Sequence, residues 1–238
     1  MKELDELVII LYTHNSYQDV FDICIKLHEK YSNSINVIIF SNTIMNNDYP
    51  NILYDEHMTY PERISYCLEK IPDKYKYIIL SHDWVLMYDY INLNKIIKLM
   101  CFMKNNNIDQ IRLLNSSCGS TSLEIHNNVY HIDNHGLLFS VQPTIWKTDT
   151  IKKITSENKN FVYRNIEWGI QEYMKQFNNC FYYEGEERFR NAGHHKSNIY
   201  PHIHALSHGR WIINENESYI QNIVKNFNID INIRGTIN

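Results

Sequence analysis

Paired cysteines, basic charge and long apolar runs are all scarce in this chain of 238 residues. The five cysteines, Cys24, Cys67, Cys101, Cys118 and Cys180, are odd in number, widely spaced and never in a C-x-x-C pair. That pattern excludes a zinc ribbon and a disulfide framework, and it fits a reducing compartment. The formal net charge is -4 without any block of like charges, so the basic stripe of a nucleic-acid binder is missing. No stretch approaches the roughly 20 apolar residues that cross a bilayer. The apolar runs present, such as YIIL at 77–80, are strand-length. The start, MKELDELVII, places acidic residues before a short apolar run, where a secretory signal has a basic start and a longer apolar region. The expectation is a soluble, cytoplasmic protein with neither a nucleic-acid partner nor a transmembrane segment.

What is present is the patterning of an α/β protein. Hydrophobic residues make up 44%, and the length suits one α/β domain. Neither an internal repeat nor a low-complexity linker interrupts it. Leu7 to Tyr12 (LVIILY) reads as a buried strand, followed by the polar turn Thr13-His14-Asn15. Ser16 and Asp19 resemble a capping box for a helix whose apolar face is Val20, Ile23, Cys24, Leu27 and Tyr31. A second strand follows at 35–40 (INVIIF), and strand, helix, strand of buried composition predicts a parallel sheet. Thr59-Tyr60-Pro61 opens another helix that buries Ile64, Cys67, Leu68 and Ile71 and ends at Pro72-Asp73. The strand YIIL then runs directly into Ser81-His82-Asp83-Trp84.

Beyond it the pattern predicts a helix through Leu93, Ile96, Ile97, Met100 and Met103, and strands at 110–114, 129–132 and 137–141. A helix from Asn165 carries Ile166, Ile170, Tyr173, Met174 and Phe177, and the His-rich stretch from His194 to His208 reads as irregular loop. The division expected is a main domain over 1–213 and a helical tail over 214–238, with a last helix from Tyr219 to Phe227.

In an open α/β sheet, ligands bind beyond the carboxyl ends of the strands. Two polar clusters stand there, Thr13-His14-Asn15 and Ser81-His82-Asp83. A diphosphate needs its charge neutralised, and Asp83 can hold Mn2+ or Mg2+ for that purpose or simply cap the segment that follows. His202, His204 and His208 could together form a zinc site, or remain loop histidines among 12, or supply one ligand beside Asp83. Glu184, Glu186 and Glu187 flank Gly185 and read as a solvated turn. Tyr12 and Trp84 suit either stacking on a ligand or packing in the core.

These residues also carry a family resemblance. Arg63-Ile64-Ser65-Tyr66-Cys67-Leu68 through Tyr77 to Asp83 resembles the GT-A glycosyltransferases, in which an Arg-bearing helix precedes an apolar strand ending in Asp-x-Asp. Ser81 stands at the first Asp and Asp83 at the last. Ser140 to Lys147 (SVQPTIWK) is similar to the family segment that returns from the acceptor side. Ile166-Glu167-Trp168 is similar to the place of the catalytic base, and Gly209-Arg210-Trp211 to a segment that closes over the donor. The resemblance implies a single GT-A, Rossmann-like α/β fold with a mixed, mostly parallel central sheet flanked by helices. It implies inverting transfer of a sugar from a nucleoside-diphosphate sugar to a hydroxyl of a glycan or lipid-linked acceptor.

On this reading Glu167 is the base, and Thr13, His14, Asn15, Arg63, Ser81, His82, Asp83 and Arg210 hold the donor. Trp84, Gln142 and Trp168 meet the acceptor, and Asp83 with His204 or His208 binds Mn2+ or Mg2+. Helical geometry separates Glu167 from its neighbour Glu172: they lie about 75° and about 145° from the centre of the apolar stripe. The first borders the packed face and the second points to water. Two rival readings stand beside this one. They are a metal-dependent hydrolase built on the C-terminal histidines and a non-catalytic module for sugar nucleotides or glycans, the latter suggested by the missing first Asp.

Overall fold

Residues 7–12 form β1 (Leu7–Tyr12) at the bounds read from the sequence, and all six residues are buried. The computed structural model describes residues 2–32, 35–115, 123–132, 136–189 and 195–237. Helix α1 (Gln18–Tyr31) leads to β2 (Asn36–Ser41), which pairs parallel to β1, and β3 (Asn51–Leu53) adds outside β2. The chain then recrosses through α2 (Tyr60–Leu68) to β4 (Tyr77–His82), parallel to β1 on its other side. The direction of winding therefore reverses at β1, and such a switch point leaves a crevice beyond the carboxyl ends of β1 and β4. Helix α2 is fixed locally: Thr59 and Glu62 complete a capping box, with Pro61 in the first turn, a device that contributes about 1 kcal/mol.

The next elements are β5 (Val85–Met87), α3 (Leu93–Asn106), β6 (Gln110–Arg112), β7 (Glu124–His126), β8 (Val129–His131) and β9 (Thr144–Lys147). Helices α4 (Thr148–Glu157), α5 (Tyr163–Gly169) and α6 (Gln171–Met174) and strand β10 (Asn179–Tyr182) follow. The main sheet has the order β3-β2-β1-β4-β9-β6-β10-β8-β7. Strands β9 and β8 run against the other members. The result is the mixed, mostly parallel α/β sheet expected from the sequence.

Because side chains alternate along a strand, β1 and β4 build two cores at once. Leu7, Ile9, Leu11 and Ile79 pack with α1 and α3 on one face, while Val8, Ile10, Ile78 and Leu80 pack with α2 and α4 on the other. The C-terminal region adds β11 (His202–His204) against β5, then β12 (Leu206–Ser207), β13 (Arg210–Ile212), α7 (Ile213–Phe227) and β14 (Thr236–Ile237), which pairs with β13. Ile220 and Ile223 of α7 enter the first core, and Tyr219 stacks on Tyr88 at 4.2 Å.

Local expectations change in several places: the stretch from His194 to His208, read as irregular loop, carries β11 and β12 among its described residues, and the last helix begins at Ile213 rather than Tyr219. Residues 137–141 are buried in part but form no strand, because side chains take up their backbone groups. Gln110 Nε2 donates to Leu138 O, Arg112 Nη2 to Leu137 O, Leu138 N donates to Gln171 Oε1 at 2.6 Å, and Val141 N donates to Glu167 Oε1 at 2.7 Å. The single helix expected from Asn165 is two short ones, α5 and α6, interrupted at Ile170, and Phe177 lies past both. Ser16 does not cap α1. A 3-10 turn at Asn15–Tyr17 precedes that helix, and Ser16 N donates to the ring of His14. Cys24, Cys67, Cys101 and Cys180 are free thiols, while Cys118, His194 and most of the loop at 115–122 lie outside the described residues. Among the described residues, no helix is long and apolar enough to cross a membrane.

Candidate active site

At the switch point, parallel pairing sets Tyr12 opposite His82, and Asp83 N donates to Tyr12 O at 3.2 Å. Asp83 is thereby held over the end of β1, where Thr13 Oγ1 donates to its Oδ2 at 2.7 Å. Both residues are buried. Burial pushes the Asp83 carboxyl up to about 7, against the hydrogen bonds from Thr13 and the Trp84 backbone that pull it down. The group is poised between acid and carboxylate near neutral pH, and a cation arriving beside it favours the carboxylate.

An aromatic wall adjoins it. His82 is buried and desolvation holds its ring down to about 3, so it is neutral, sharing a hydrogen bond with Tyr60 OH at 3.0 Å. Trp84 stacks on His82 at 5.3 Å, lies against His204 at 4.2 Å, and donates from Nε1 to Tyr163 OH at 3.1 Å. Another wall comes from α5 and the irregular segment before β9. Glu167 Oε1 accepts from Ser140 Oγ at 2.8 Å and from Val141 N at 2.7 Å. Both bonds fall on one oxygen, so Oε2 keeps its lone pairs for a ligand. Gln142, only 8% exposed, has a side-chain oxygen with no hydrogen-bond partner.

These walls enclose a cavity of about 700 Å³. Of the residues singled out from the sequence, Thr13, His14, Arg63, His82 and Asp83 line it on the donor side of the expected arrangement. Trp84, Gln142, Glu167, His204 and His208 line it as well. Four do not. Ser81 is fully buried on the opposite face of the sheet, with Ile79, because alternate residues of β4 point in opposite directions. It is His82, not Ser81, that reaches the cavity from the strand. Asn15 begins the 3-10 turn and donates its backbone N–H to Asn42 Oδ1 at 2.9 Å. Arg210 is exposed on β13, where its neighbour Trp211 turns into the core, and Trp168 is 70% exposed on α5 outside the lining.

Their partners change two further roles. Arg63 donates from Nε to Met58 O at 2.8 Å, from Nη1 to Tyr12 OH at 3.0 Å and from Nη2 to Glu56 O at 2.5 Å, and it covers the Tyr54 ring. Its guanidinium ties the 54–58 loop to β1, leaving little for a phosphate. His202 is buried with Nδ1 on Tyr200 O at 2.6 Å, apart from the cavity-lining His204 and His208. Among the described residues, no group of three or more His, Cys, Asp or Glu is placed to hold a metal ion, so the three-imidazole zinc centre is not formed. Glu184 and Glu187 form ion pairs with Lys95 and Lys196 outside this cavity.

Tyr17, Tyr60, Tyr163 and Arg164 also line the cavity and were not singled out from the sequence. Arg164 carried a readable signal, since residues three apart on a helix share a face and it lies three before Glu167.

The chain matches no protein-family model and no curated protein. Among solved structures it is similar to a 4-diphosphocytidyl-2C-methyl-D-erythritol synthase from Anaerococcus prevotii, at 8% identity over 74% of this chain and 86% of that one, with a TM-score of 0.45. It is similar also to residues 1–349 of S. aureus TarS, at 9% identity and a TM-score of 0.46. There the match covers 79% of this chain and spans 59% of that one. Likenesses this distant leave the chemistry to the residues of the cavity.

Proposed function

We propose that this chain is a glycosyltransferase that moves a sugar from a nucleoside-diphosphate sugar to a hydroxyl of a glycan or lipid-linked acceptor, with inversion. The observation that supports it most is the convergence, in one cavity at the switch point of the sheet, of a buried carboxyl after β4 and a second, oriented carboxylate on α5. Inverting transfer needs those two functions apart, one to meet the departing diphosphate and one to take the acceptor proton.

Glu167 takes the proton. The Ser140 hydroxyl and the Val141 N–H fix its Oε1, so Oε2 is presented without loss of orientation when an acceptor hydroxyl arrives. Asp83 faces the diphosphate, and the stack of neutral His82, Trp84 and His204 offers its ring edges to the sugar or base. Asp83, with His204 or His208 as the further ligand, would hold Mg2+ or Mn2+. A single buried carboxyl suits a hard cation whose remaining ligands are phosphate oxygens and water. When bound, such a cation supplies charge neutralisation for the leaving group.

The reading is tested by turnover of a nucleotide-sugar panel with and without Mn2+. Glu167→Gln should cut transfer by at least ~100-fold with donor binding intact, because general-base catalysis typically contributes 10² to 10⁴. Glu172→Gln should leave transfer near wild type. Near-wild-type transfer by Glu167→Gln would exclude Glu167 as the base.

A further inference from the structure

Each wall of the cavity has a different shortage of partners, and together these describe the ligand that fits between them. Among the cations nearby, Arg63 is committed to Met58, Tyr12 and Glu56, and Arg234 is committed to Asp19 and the Ser16 carbonyl. Arg164 lines the cavity and, among the described residues, has neither a hydrogen-bond nor an ion-pair partner. It does not pair with Glu167, one helical turn along the same face of α5, whose Oε1 is held by Ser140 and Val141 while Oε2 stays open. The Gln142 side-chain oxygen, buried beside them, is an acceptor without a donor. The α5 side of the cavity thus presents a free guanidinium fork, a carboxylate with open lone pairs and a buried amide oxygen. Its complement is a molecule that brings an anionic group for the first and hydroxyls for the other two.

We infer that Arg164 forms an anion subsite on the acceptor side, so that the acceptor carries a phosphate or carboxylate near the hydroxyl that is modified. The inference rests on the transfer reading for the word acceptor, and on Arg164, Glu167 and Gln142 alone for the anion. The diphosphate of the donor is assigned to Asp83, which leaves Arg164 for the second substrate. Val162 and Tyr163, exposed beside Arg164 at 53% and 41%, offer apolar surface to the body of such a ligand.

The experiment follows the Arg164 Nε–Hε resonance by NMR, assigned through its disappearance in Arg164→Lys. Inorganic phosphate and, separately, acetate are titrated into the protein before and after saturation with a nucleoside diphosphate and Mg2+. The expected result is a saturable shift at Arg164 that persists with the nucleotide bound. Phosphate affinity should fall at least ~10-fold in a folded Arg164→Gln protein, because the bidentate contact is lost. A response to phosphate alone identifies a phosphate-bearing acceptor, and an equal response to acetate identifies a carboxylate. If the nucleotide itself moves Arg164 and abolishes the phosphate response, Arg164 belongs to the donor and the inference is overturned. No response to either anion also overturns it. If no nucleoside diphosphate binds while phosphate still moves Arg164, the anion subsite stands and the transfer reading fails.

Discussion

At the level of single residues, the site is governed by what burial does to titrating groups. Asp83 has its folded pKa raised from an ordinary 3.8 to about 7. Its protonated form is favoured by folding, so its contribution is fully present below pH 3.8 and is lost as pH rises through 7. Asp83→Asn removes this liability while keeping shape. The variant should therefore be more stable than the parent by a few kcal/mol at pH 8, since each tenfold change in a proton-binding equilibrium is worth about 1.4 kcal/mol, and the gap should close toward pH 4. Urea unfolding at both pH values measures it, and a gap that does not change with pH would show that Asp83 is not desolvated. That the same side chain is costly to the fold and central to the proposed chemistry fits a residue kept for its ligand. Arg63 is the opposite case, a cavity residue whose three donor groups are committed to its own loop and to β1. Arg63→Ala should loosen the 54–58 loop and lower stability more than it weakens binding of a nucleoside diphosphate, which paired unfolding and titration experiments would resolve.

Among the elements, legibility divides by where hydrogen bonds go. Strands β1 and β4 could be read directly, because a short apolar run buried on both faces pairs with its neighbours and needs nothing else. The position of Asp83 followed from that, as the first acidic residue past a parallel strand end. Residues 137–141 could not be read, since their apolar pattern resembles a strand while their backbone bonds go to Gln110, Arg112, Glu167 and Gln171, far away in sequence. Ser81 was misplaced although strand parity was available, as its neighbours Leu80 and His82 must share the other face. The free state of Arg164 was not legible, because it depends on which partners the fold gives to every cation around it. Gln171 joins these elements, accepting from Leu138 N and donating to Glu167 O. Gln171→Ala strands a partly buried N–H, and should cost about 1–3 kcal/mol by urea unfolding. It should also slow transfer through the displaced Glu167, and a variant as stable and as active as the parent would show that the segment is held by other means.

For the whole molecule, the titration behaviour is a sum that can be checked. His28 and His82 are both buried and held down to about 3 from an ordinary 6.5, the first by desolvation and the nearby His202, the second by desolvation. Each stabilises the fold fully above pH 6.5 and loses that contribution as pH falls toward 3. Asp83 acts in the opposite sense between about 4 and 7. Two groups against one leave a net loss on acidification of about 1.4 kcal/mol per pH unit between about 6.5 and 5.5, above the range where carboxylates held low, such as Asp19 and Glu184, begin to add to it. Asp83→Asn should roughly double that slope, and His82→Asn should flatten it. The same cavity that concentrates these shifted groups lies where the winding of the sheet reverses, which ties the fold to the proposed chemistry. Everything proposed for the cavity depends on its binding a nucleoside diphosphate through Asp83. The decisive measurement is calorimetric titration of a nucleoside-diphosphate panel into the wild type and Asp83→Asn, in the presence of Mn2+. At least one nucleotide is expected to bind the wild type with a clear heat, and that binding is expected to be lost in the variant. Equal affinity for both proteins would place the diphosphate elsewhere and contradict the proposal.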